Sequence, residues 1–257
     1  VPTWTWQIGD VLVVKSLFMI HGQNSTVVAY KIMNGGHDIE LRLRPHFLFR
    51  DFHGTTYRNA GFLDDTQAGD SSLKLQPFAN APTVHMAWDR GSFVRDSRWE
   101  TANFLSEEAA RGLESHEDDF SNGYLQIQNL HGSASVLFSD EPIQAFNPAD
   151  LRKREEQRQE QILEMFPTED PMIRRLLLAA DQFIVDRCST RSRSIIAGYP
   201  WFSDWGRDSL ISLPGLTLVT GRFDDARSIL KTFAVSVRNG LVPNCFADHG
   251  SDALYNS

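Results

Sequence analysis

The chain changes its hydrophobic pattern at the Asn147-Pro148 dipeptide, and this change constrains the fold more than any other feature of the sequence. Before it, β-branched and apolar runs such as residues 11–20 and 25–33 are bounded by turn-forming residues. Residues 38–44 alternate apolar and polar side chains, which is typical of a strand with one buried face. Many short strands of this kind predict an antiparallel β-sandwich for the first half of the chain.

Other segments of the first half fit this prediction. Short strands are predicted at residues 83–88, 124–127 and 134–138, each bounded by Gly, Pro, Asn or Ser. Residues 107–119 carry six carboxylates against one Arg. We interpret them as a solvated loop or an exposed short helix.

After the dipeptide, the apolar spacing becomes helical. Residues 151–166 open with eleven helix-forming residues that lack an apolar stripe, which predicts an exposed connecting helix stabilised by charge pairs. Asp170 followed by Pro171 predicts the start of the next helix. Residues 208–220 are apolar on nearly every side, so we expect a helix buried all round and kinked at Pro214. Asp224 is expected to cap a further helix over residues 225–239.

Composition and charge exclude several classes of protein. The formal net charge is −8, and it lies in residues 1–150, which hold 11 Lys or Arg against 19 Asp or Glu. This balance argues against a nucleic-acid partner or an anionic membrane surface. No window approaches the roughly 18 consecutive apolar residues of a membrane span. Two cysteines in a chain of this size predict a reducing, cytoplasmic location.

Neither a metal nor an organic cofactor is predicted. His249 is a single loop histidine without Cys or carboxylate residues at metal-ligand spacing. The chain also has no Gly-rich phosphate-binding loop and no nucleophilic Ser elbow.

The residues with the clearest chemistry are 199–209, YPWFSDWGRDS, directly before the apolar helix. They combine two Trp, a Tyr, a Phe, two Asp and an Arg. Aromatic rings cover the C–H face of a pyranose, and carboxylates and Arg hydrogen-bond its hydroxyls, so this composition favours a sugar site. The alternative is an aromatic-rich turn in which Arg207 and Asp208 form a buried ion pair.

Residues 195–256 resemble the first part of the C-terminal glucosidase domain of glycogen debranching enzymes. AGYPWFxxWGRD, an LPGL…TGR helix and GLxPN…YN occur in that family in the same order. Upstream, FMIHGQNSTVV and residues 50–54 (RDFHG) are similar to the β-rich N-terminal domain of the bacterial and archaeal members. The resemblance is strong over the last sixty residues and weaker before them.

The resemblance implies a fold, an activity and a set of binding residues. The implied domains are a β-sandwich over residues 1–150, a linker helix over 151–167, and the first helices of an (α/α)6 toroid over 168–257. The family hydrolyses α-1,6-linked glucose at branch points of glycogen or limit dextrin, so the implied partner is an α-glucan. The substrate-binding residues implied by the motif, with weaker candidates on later loops, are Trp201, Phe202, Asp204, Trp205, Arg207, Asp208, Asn244, Tyr255 and Asn256.

The mechanism implied by the family is inversion by two carboxylates, one acting as acid and one as base. A twelve-helix toroid needs about 200 residues, whereas 107 follow Asp150. We therefore expect an internal fragment whose catalytic acid and base lie beyond Ser257, and no hydrolysis by these 257 residues alone. Asp204, Asp208, Asp248 and Asp252 could be mistaken for such a pair in sequence, and we interpret Asp248 and Asp252 as solvated loop carboxylates.

Two other functions stay open at this point. One keeps the toroid but changes the substrate, as in glucoamylases, trehalases and processing glucosidases. The other is a glycan-binding or scaffold module without catalysis, which would spread aromatic residues over an exposed β face. The concentration of aromatic and charged residues at the start of one helix favours an enzyme.

Overall fold

A computed structural model describes residues 1–33, 36, 38–51, 54–199, 202–246 and 253–255. The chain divides into two compact units, Val1–Glu155 and Glu156–Ser257. The division falls inside a helix of residues Pro148–Glu164. Asn147 stands at the N-terminus of this helix, where its side-chain oxygen accepts the backbone N–H of Ala149 at 3.2 Å and of Asp150 at 3.3 Å.

The first unit is built from antiparallel strands. Within the described residues these are, in chain order, β1 (Thr3–Ile8), β2 (Val11–Met19), β3 (Ser25–Met33), β4 (Leu41–Leu43), β5 (Thr66–Ala68), β6 (Ser72–Leu75), β7 (Val84–Trp88), β8 (Ser92–Phe104), β9 (His116–Ile127) and β10 (Gly132–Ser139). A short helix, α1 (Ser106–Ala110), lies between β8 and β9. The helix Pro148–Glu164 is α2.

These strands form two sheets that share one core. The larger has seven strands in the order β1-β2-β3-β10-β7-β6-β5, and the smaller has the order β4-β9-β8. Ile32, Met86 and Val136 of the larger sheet belong to the same buried cluster as Leu125 and Ile127 of the smaller one. The predicted antiparallel β organisation of the first half is therefore confirmed, and apolar residues from both sheets face the shared core.

The bounds of several strands differ from the prediction. The strand expected over residues 38–44 is only Leu41–Leu43, and the one expected over 124–127 begins eight residues earlier, at His116. The thirteen-residue β8 was not predicted. Its sequence is mostly polar, and register shifts interrupt its pairing with β9 on either side of Arg98–Glu100. Alternation is lost at such shifts, so no sequence pattern indicated this strand.

The interpretation of the acidic segment 107–119 as solvated holds only in part. α1 is exposed, as expected, but β9 begins within the segment and buries Glu117. The Glu117 carboxylate accepts two hydrogen bonds from the Arg50 guanidinium, at 2.6 Å and 3.1 Å. A buried carboxylate needs such a partner because desolvation of an unpaired charge is costly.

The second unit is mainly helical. Its further elements are α3 (Pro171–Phe183), β11 (Ile184–Arg187), β12 (Ser192–Ile195), α4 (Gly206–Leu213), a π-helical turn (Pro214–Leu218), α5 (Phe223–Val235), β13 (Cys245–Phe246) and β14 (Ala253–Leu254). The predicted start of α3 is confirmed, because the Asp170 side chain accepts the backbone N–H of Met172 at 2.8 Å. None of the helices that the structure describes combines the length and apolar character needed to cross a bilayer.

The apolar helix predicted over residues 208–220 differs from the expectation. It is interrupted at Pro214, where a π-helical turn follows and the Val219 N–H donates to the Pro214 carbonyl. Pro has no N–H to continue the α-helical ladder, and the wider turn accommodates it. Ile211 and Val219 are 74% and 64% exposed, so the segment is not buried on all sides.

The predicted cap of α5 was also wrong. The helix begins at Phe223, its N-cap residue is Arg222, and no side chain caps it. Asp224 and Asp225 lie inside the first turn, where negative charge still interacts favourably with the helix dipole. Ala226, Ile229 and Phe233 of α5 form the buried core of the second unit with other apolar side chains: Ile195, Leu213 and Phe246.

Asp181 of α3 is the centre of an ion-pair network in the second unit. It is buried and accepts hydrogen bonds at 2.5 Å from Arg158 and from Arg222. Burial alone would raise the pKa of Asp181, but the two guanidinium groups outweigh it and lower the pKa below its ordinary value. The network joins α2 and α3 to the residue that precedes α5.

We predict a pH-dependent contribution of Asp181 to stability. Because its folded-state pKa is depressed, the contribution is fully present above the unfolded pKa and is lost as pH falls through the folded one, below about pH 4. Asp181→Asn should therefore lower the free energy of unfolding by about 3–5 kcal/mol at neutral pH and by less in acid. Urea unfolding followed by Trp fluorescence between about pH 3 and 7 measures this.

The matched control is Asp186→Asn. Asp186 also pairs with an arginine, Arg193 at 3.1 Å, but it is 74% exposed. An exposed pair contributes at most about 1 kcal/mol, so this variant should stay close to the unmodified chain. Equal losses in the two variants, or a loss at Asp181 that does not change with pH, would contradict the assignment.

Candidate functional site

The candidate site is built on a hairpin and the irregular segment that follows it. β11 and β12 pair antiparallel, with Arg187 opposite Ser192 and Val185 opposite Ser194. The hairpin was not predicted, because Phe183 and Ile184 continue the apolar spacing of α3. The chain then returns to α4 through Ala197, whose N–H donates to the Ser203 carbonyl at 2.9 Å.

Gly206 fixes the point at which α4 begins. Its N–H donates to the Asn244 carbonyl at 2.5 Å, and the preceding Trp205 forms a β-bridge with Cys245. A Cβ at position 206 would overlap the Pro243 carbonyl oxygen and approach the Phe233 ring to 3.0 Å. Only glycine allows the start of α4 to lie this close to residues 243–245.

Asp204 does not have the role expected of it. We expected a sugar-contacting carboxylate, but Asp204 is 1% exposed and both oxygens are bound within the protein. One accepts from the Arg187 guanidinium at 2.5 Å and the other from the Ser194 hydroxyl at 2.6 Å. These partners lie 17 and 10 residues upstream in sequence. They were missed because the unpredicted hairpin is what brings them to Asp204.

Arg207 and Asp208 differ from Asp204 in their burial and in their side-chain partners. Arg207 is exposed and Asp208 is half-buried, both in the first turn of α4. Within the residues that the structure describes, neither side-chain charge has a hydrogen-bond or ion-pair partner. The alternative prediction, a buried pair between these two residues, is therefore wrong. Two uncommitted charges of opposite sign at one helix start can hydrogen-bond a polyhydroxylated ligand.

Aromatic residues flank this pair of charges in sequence. Phe202 is 55% exposed, and its backbone N–H donates to the Gly198 carbonyl at 2.9 Å. Trp205 is half-buried. Tyr199 donates its hydroxyl to the Gln182 carbonyl at 2.9 Å, and partial burial raises its pKa above the ordinary value. It therefore stays protonated at neutral pH, and its hydroxyl is already engaged within the protein.

The later loop residues are partly brought to the same place. The Asn244 carbonyl accepts from Gly206, and the Asn244 N–H donates to the Leu254 carbonyl at 2.8 Å, so residues 205–206, 244 and 254 are joined by backbone hydrogen bonds. Tyr255 follows directly, but its hydroxyl donates to the Ser236 carbonyl and its ring lies against the Arg238 guanidinium. This engagement makes Tyr255 a support of the loop in the described chain.

Several predicted residues lie outside the described part of the chain. These are the binding candidates Trp201 and Asn256 and the loop residues Asp248, His249 and Asp252. Among the residues that are described, no group of three or more His, Cys, Asp or Glu side chains is arranged to hold a metal ion.

Comparisons with known proteins assign the chain to a family. The family model described as "Glycogen debranching enzyme N terminal" matches residues 1–136, which is more than half of the chain. The family model described as "Amylo-alpha-1,6-glucosidase" matches residues 178–257, which include the candidate site. The chain belongs to the glycogen debranching enzyme family.

Two individual proteins illustrate the similarity. A glycogen debranching enzyme of Saccharomyces cerevisiae is 45% identical over 69 residues, which are 25% of this chain and 4% of that protein. The chain thus spans a small part of this relative. Among solved structures, a bacterial glucoamylase complexed with acarbose aligns with 96% of this chain and 41% of its own, with a TM-score of 0.42 and 15% identity.

Gly206→Ala is predicted to displace the start of α4. The added methyl group would overlap the Pro243 carbonyl oxygen, so the free energy of unfolding should fall by about 1–3 kcal/mol. Gly215→Ala is the control, because Gly215 also lies in this helical segment but has no atom within 4 Å of an added Cβ. Thermal unfolding of both variants measures the difference, and equal melting temperatures would contradict the close approach at Gly206.

Proposed function

We propose that the protein carrying this chain is a glycoside hydrolase that removes α-1,6-linked glucose at branch points of glycogen or limit dextrin. The observation that carries the proposal is the arrangement at the start of α4, where Arg207 and Asp208 have no side-chain partner among the described residues and follow an aromatic-rich stretch in sequence. The match of this segment to the amylo-α-1,6-glucosidase family model supports the choice of substrate.

In this proposal Arg207 and Asp208 grip the glucose unit beside the scissile bond. The guanidinium donates to one part of the sugar and the carboxylate accepts from neighbouring hydroxyls, so together they fix the orientation of the ring. Trp201, Phe202 and Trp205 are the proposed apolar walls, with Asn244 and Asn256 contributing from later loops. Tyr255 is proposed to support these loops, because its hydroxyl and its ring are engaged by Ser236 and Arg238. Asp204 is not among the sugar-contacting groups, because its carboxylate is buried against Arg187 and Ser194.

Inversion is the proposed chemical course. It requires an acid that protonates the leaving oxygen and a base that activates water, held about 6.5–9.5 Å apart. We assign neither role to a described residue. The helical part is proposed to belong to an (α/α)6 toroid following the 1–150 β domain and a connecting helix, and the location is proposed to be cytoplasmic.

Asp208→Asn tests the proposed grip. The substitution keeps the shape of the side chain but removes a charged acceptor, so kcat/KM should fall at least tenfold, equivalent to about 1.5 kcal/mol of transition-state binding. The assay is glucose release from a phosphorylase-limit dextrin by the protein that carries this chain. Asp224→Asn is the matched control, since Asp224 is also in the first turn of a helix but is 94% exposed and remote in sequence. Near-unchanged kcat/KM for Asp208→Asn would refute the assignment.

A second candidate function, glycan binding without catalysis, is favoured by one feature of β1. Trp4 and Trp6 are each 45% exposed and lie on the same face of the strand, since they are two residues apart. The Lys15 ammonium lies 5.5 Å from the centre of the Trp4 ring and 5.9 Å from that of Tyr30. An aromatic β face of this kind can stack on sugar rings.

The two candidates give different results in a paired experiment. A binding module would sediment with glycogen and release no glucose, and Trp4→Ala with Trp6→Ala would weaken that sedimentation several-fold. For the hydrolase, we expect glucose release and a kcat/KM on the soluble dextrin that these substitutions change less than twofold. Glycogen binding without any glucose release would favour the second candidate over the first.

A further inference from the structure

The segment before α4 is held by contacts to several other elements. Asp204 joins it to both strands of the preceding hairpin, through Arg187 of β11 and Ser194 of β12. Trp205 and Gly206 join it to residues 244–245. One turn into α4, the Ser209 hydroxyl donates to the Ile195 carbonyl at 3.1 Å. The residues on either side of Arg207 and Asp208 are therefore fixed to three separate strands.

The guanidinium group of Arg187 has a second contact besides Asp204. It lies 5.6 Å from the centre of the Phe246 ring, in addition to its hydrogen bond with Asp204. Phe246 belongs to β13. The other residue of this strand, Cys245, forms a β-bridge with Trp205. Arg187 thus connects β11, Asp204 and β13, and the guanidinium plane has a defined orientation because both of its contacts are directional.

Stability alone does not account for a carboxylate at this position. Burying an ion pair costs several kcal/mol in desolvation, and well-packed apolar residues often serve equally well. What a buried, doubly hydrogen-bonded carboxylate provides is one fixed arrangement of its neighbours. Those neighbours include the two residues in which the sugar grip is proposed to lie, three and four positions along the chain.

We propose that Asp204 is a positioning residue for glucoside hydrolysis, acting with Arg187 and Ser194 to fix Arg207 and Asp208 in the orientation that binds the sugar. The inference rests on the proposed function of the same site. Asp204 touches no substrate. It sets the angle at which α4 begins, and a misplacement of about 1 Å in a binding group can cost on the order of 100-fold in rate.

The test is a double-mutant cycle on kcat/KM for glucose release from limit dextrin. Asp204→Asn and Asp208→Asn are measured singly and together, per folded molecule and well below the lowest melting temperature. If Asp204 acts through the grip, the single Asp204→Asn change lowers kcat/KM about 10- to 100-fold. The double variant is then only about two- to threefold worse than the more damaged single variant. Two independent residues would instead give multiplied losses.

Asp181→Asn is the control for a merely structural effect. Asp181 is also buried and arginine-paired, but its hydrogen bonds join α3 to Arg158 of α2 and to Arg222 before α5, rather than to the segment before α4. We expect it to lower the melting temperature while leaving kcat/KM per folded molecule within about twofold of the unmodified protein. A loss equal to that of Asp204→Asn would overturn the positioning role.

Ser194→Ala keeps the test decisive if Asp204→Asn does not fold. It removes one hydrogen bond to Asp204 and leaves the Arg187 pair, so kcat/KM should fall about three- to tenfold in a folded protein. Unchanged kcat/KM in folded Ser194→Ala or Asp204→Asn, or multiplicative losses in the cycle, would overturn the proposal. An active unmodified protein with these results leaves the hydrolase function standing, whereas no glucose release by the unmodified protein overturns both.

Discussion

Pairing of buried carboxylates with arginine is the interaction on which the irregular parts of this chain depend. Among the described residues, the buried acidic side chains are Glu117, Asp181 and Asp204, and each is hydrogen-bonded to at least one guanidinium. Each pair adds a side-chain link between residues that lie at least 17 positions apart in sequence. Since removing one partner would strand a charge in the interior, each pair allows few alternative arrangements of the segments that it connects.

This constraint separates neighbours that look alike in sequence. Asp204 and Asp208 are four residues apart and both lie in the aromatic stretch 199–209. The Asp204 carboxylate is hydrogen-bonded inside the protein, whereas the Asp208 carboxylate has no partner in the described part of the chain and lies at a helix N-terminus, where the dipole favours an anion. A ligand can gain hydrogen bonds only from groups that the protein has not already satisfied. Asp204 therefore supports the local structure, whereas Asp208 can take part in binding.

Sequence patterns predicted those features that depend on local spacing. β-Branched, apolar runs bounded by turn residues predicted β2 and β3, and the Asp170-Pro171 pair predicted the start of α3. The patterns failed where long-range pairing decides the structure. β8 is a strand because β9 lies beside it, and the hairpin β11–β12 interrupts a helical spacing that continues through Phe183 and Ile184. The buried role of Asp204 follows from that hairpin, so no spacing around Asp204 could have indicated it.

The position of the short helix α4 is constrained at both of its ends. At its beginning, Gly206 must approach residues 243–244, and at its end Pro214 stops the regular ladder after eight residues. The π-helical turn that follows is stabilised by hydroxyls, since Thr217 donates to the Leu213 carbonyl at 2.6 Å and Thr220 to that of Leu216 at 2.7 Å. These hydroxyl contacts add side-chain hydrogen bonds to the backbone ladder, each to a carbonyl four residues earlier. α4 therefore has little freedom to slide or rotate, and a rigid short helix is a suitable support for two charges that must meet a sugar in one orientation.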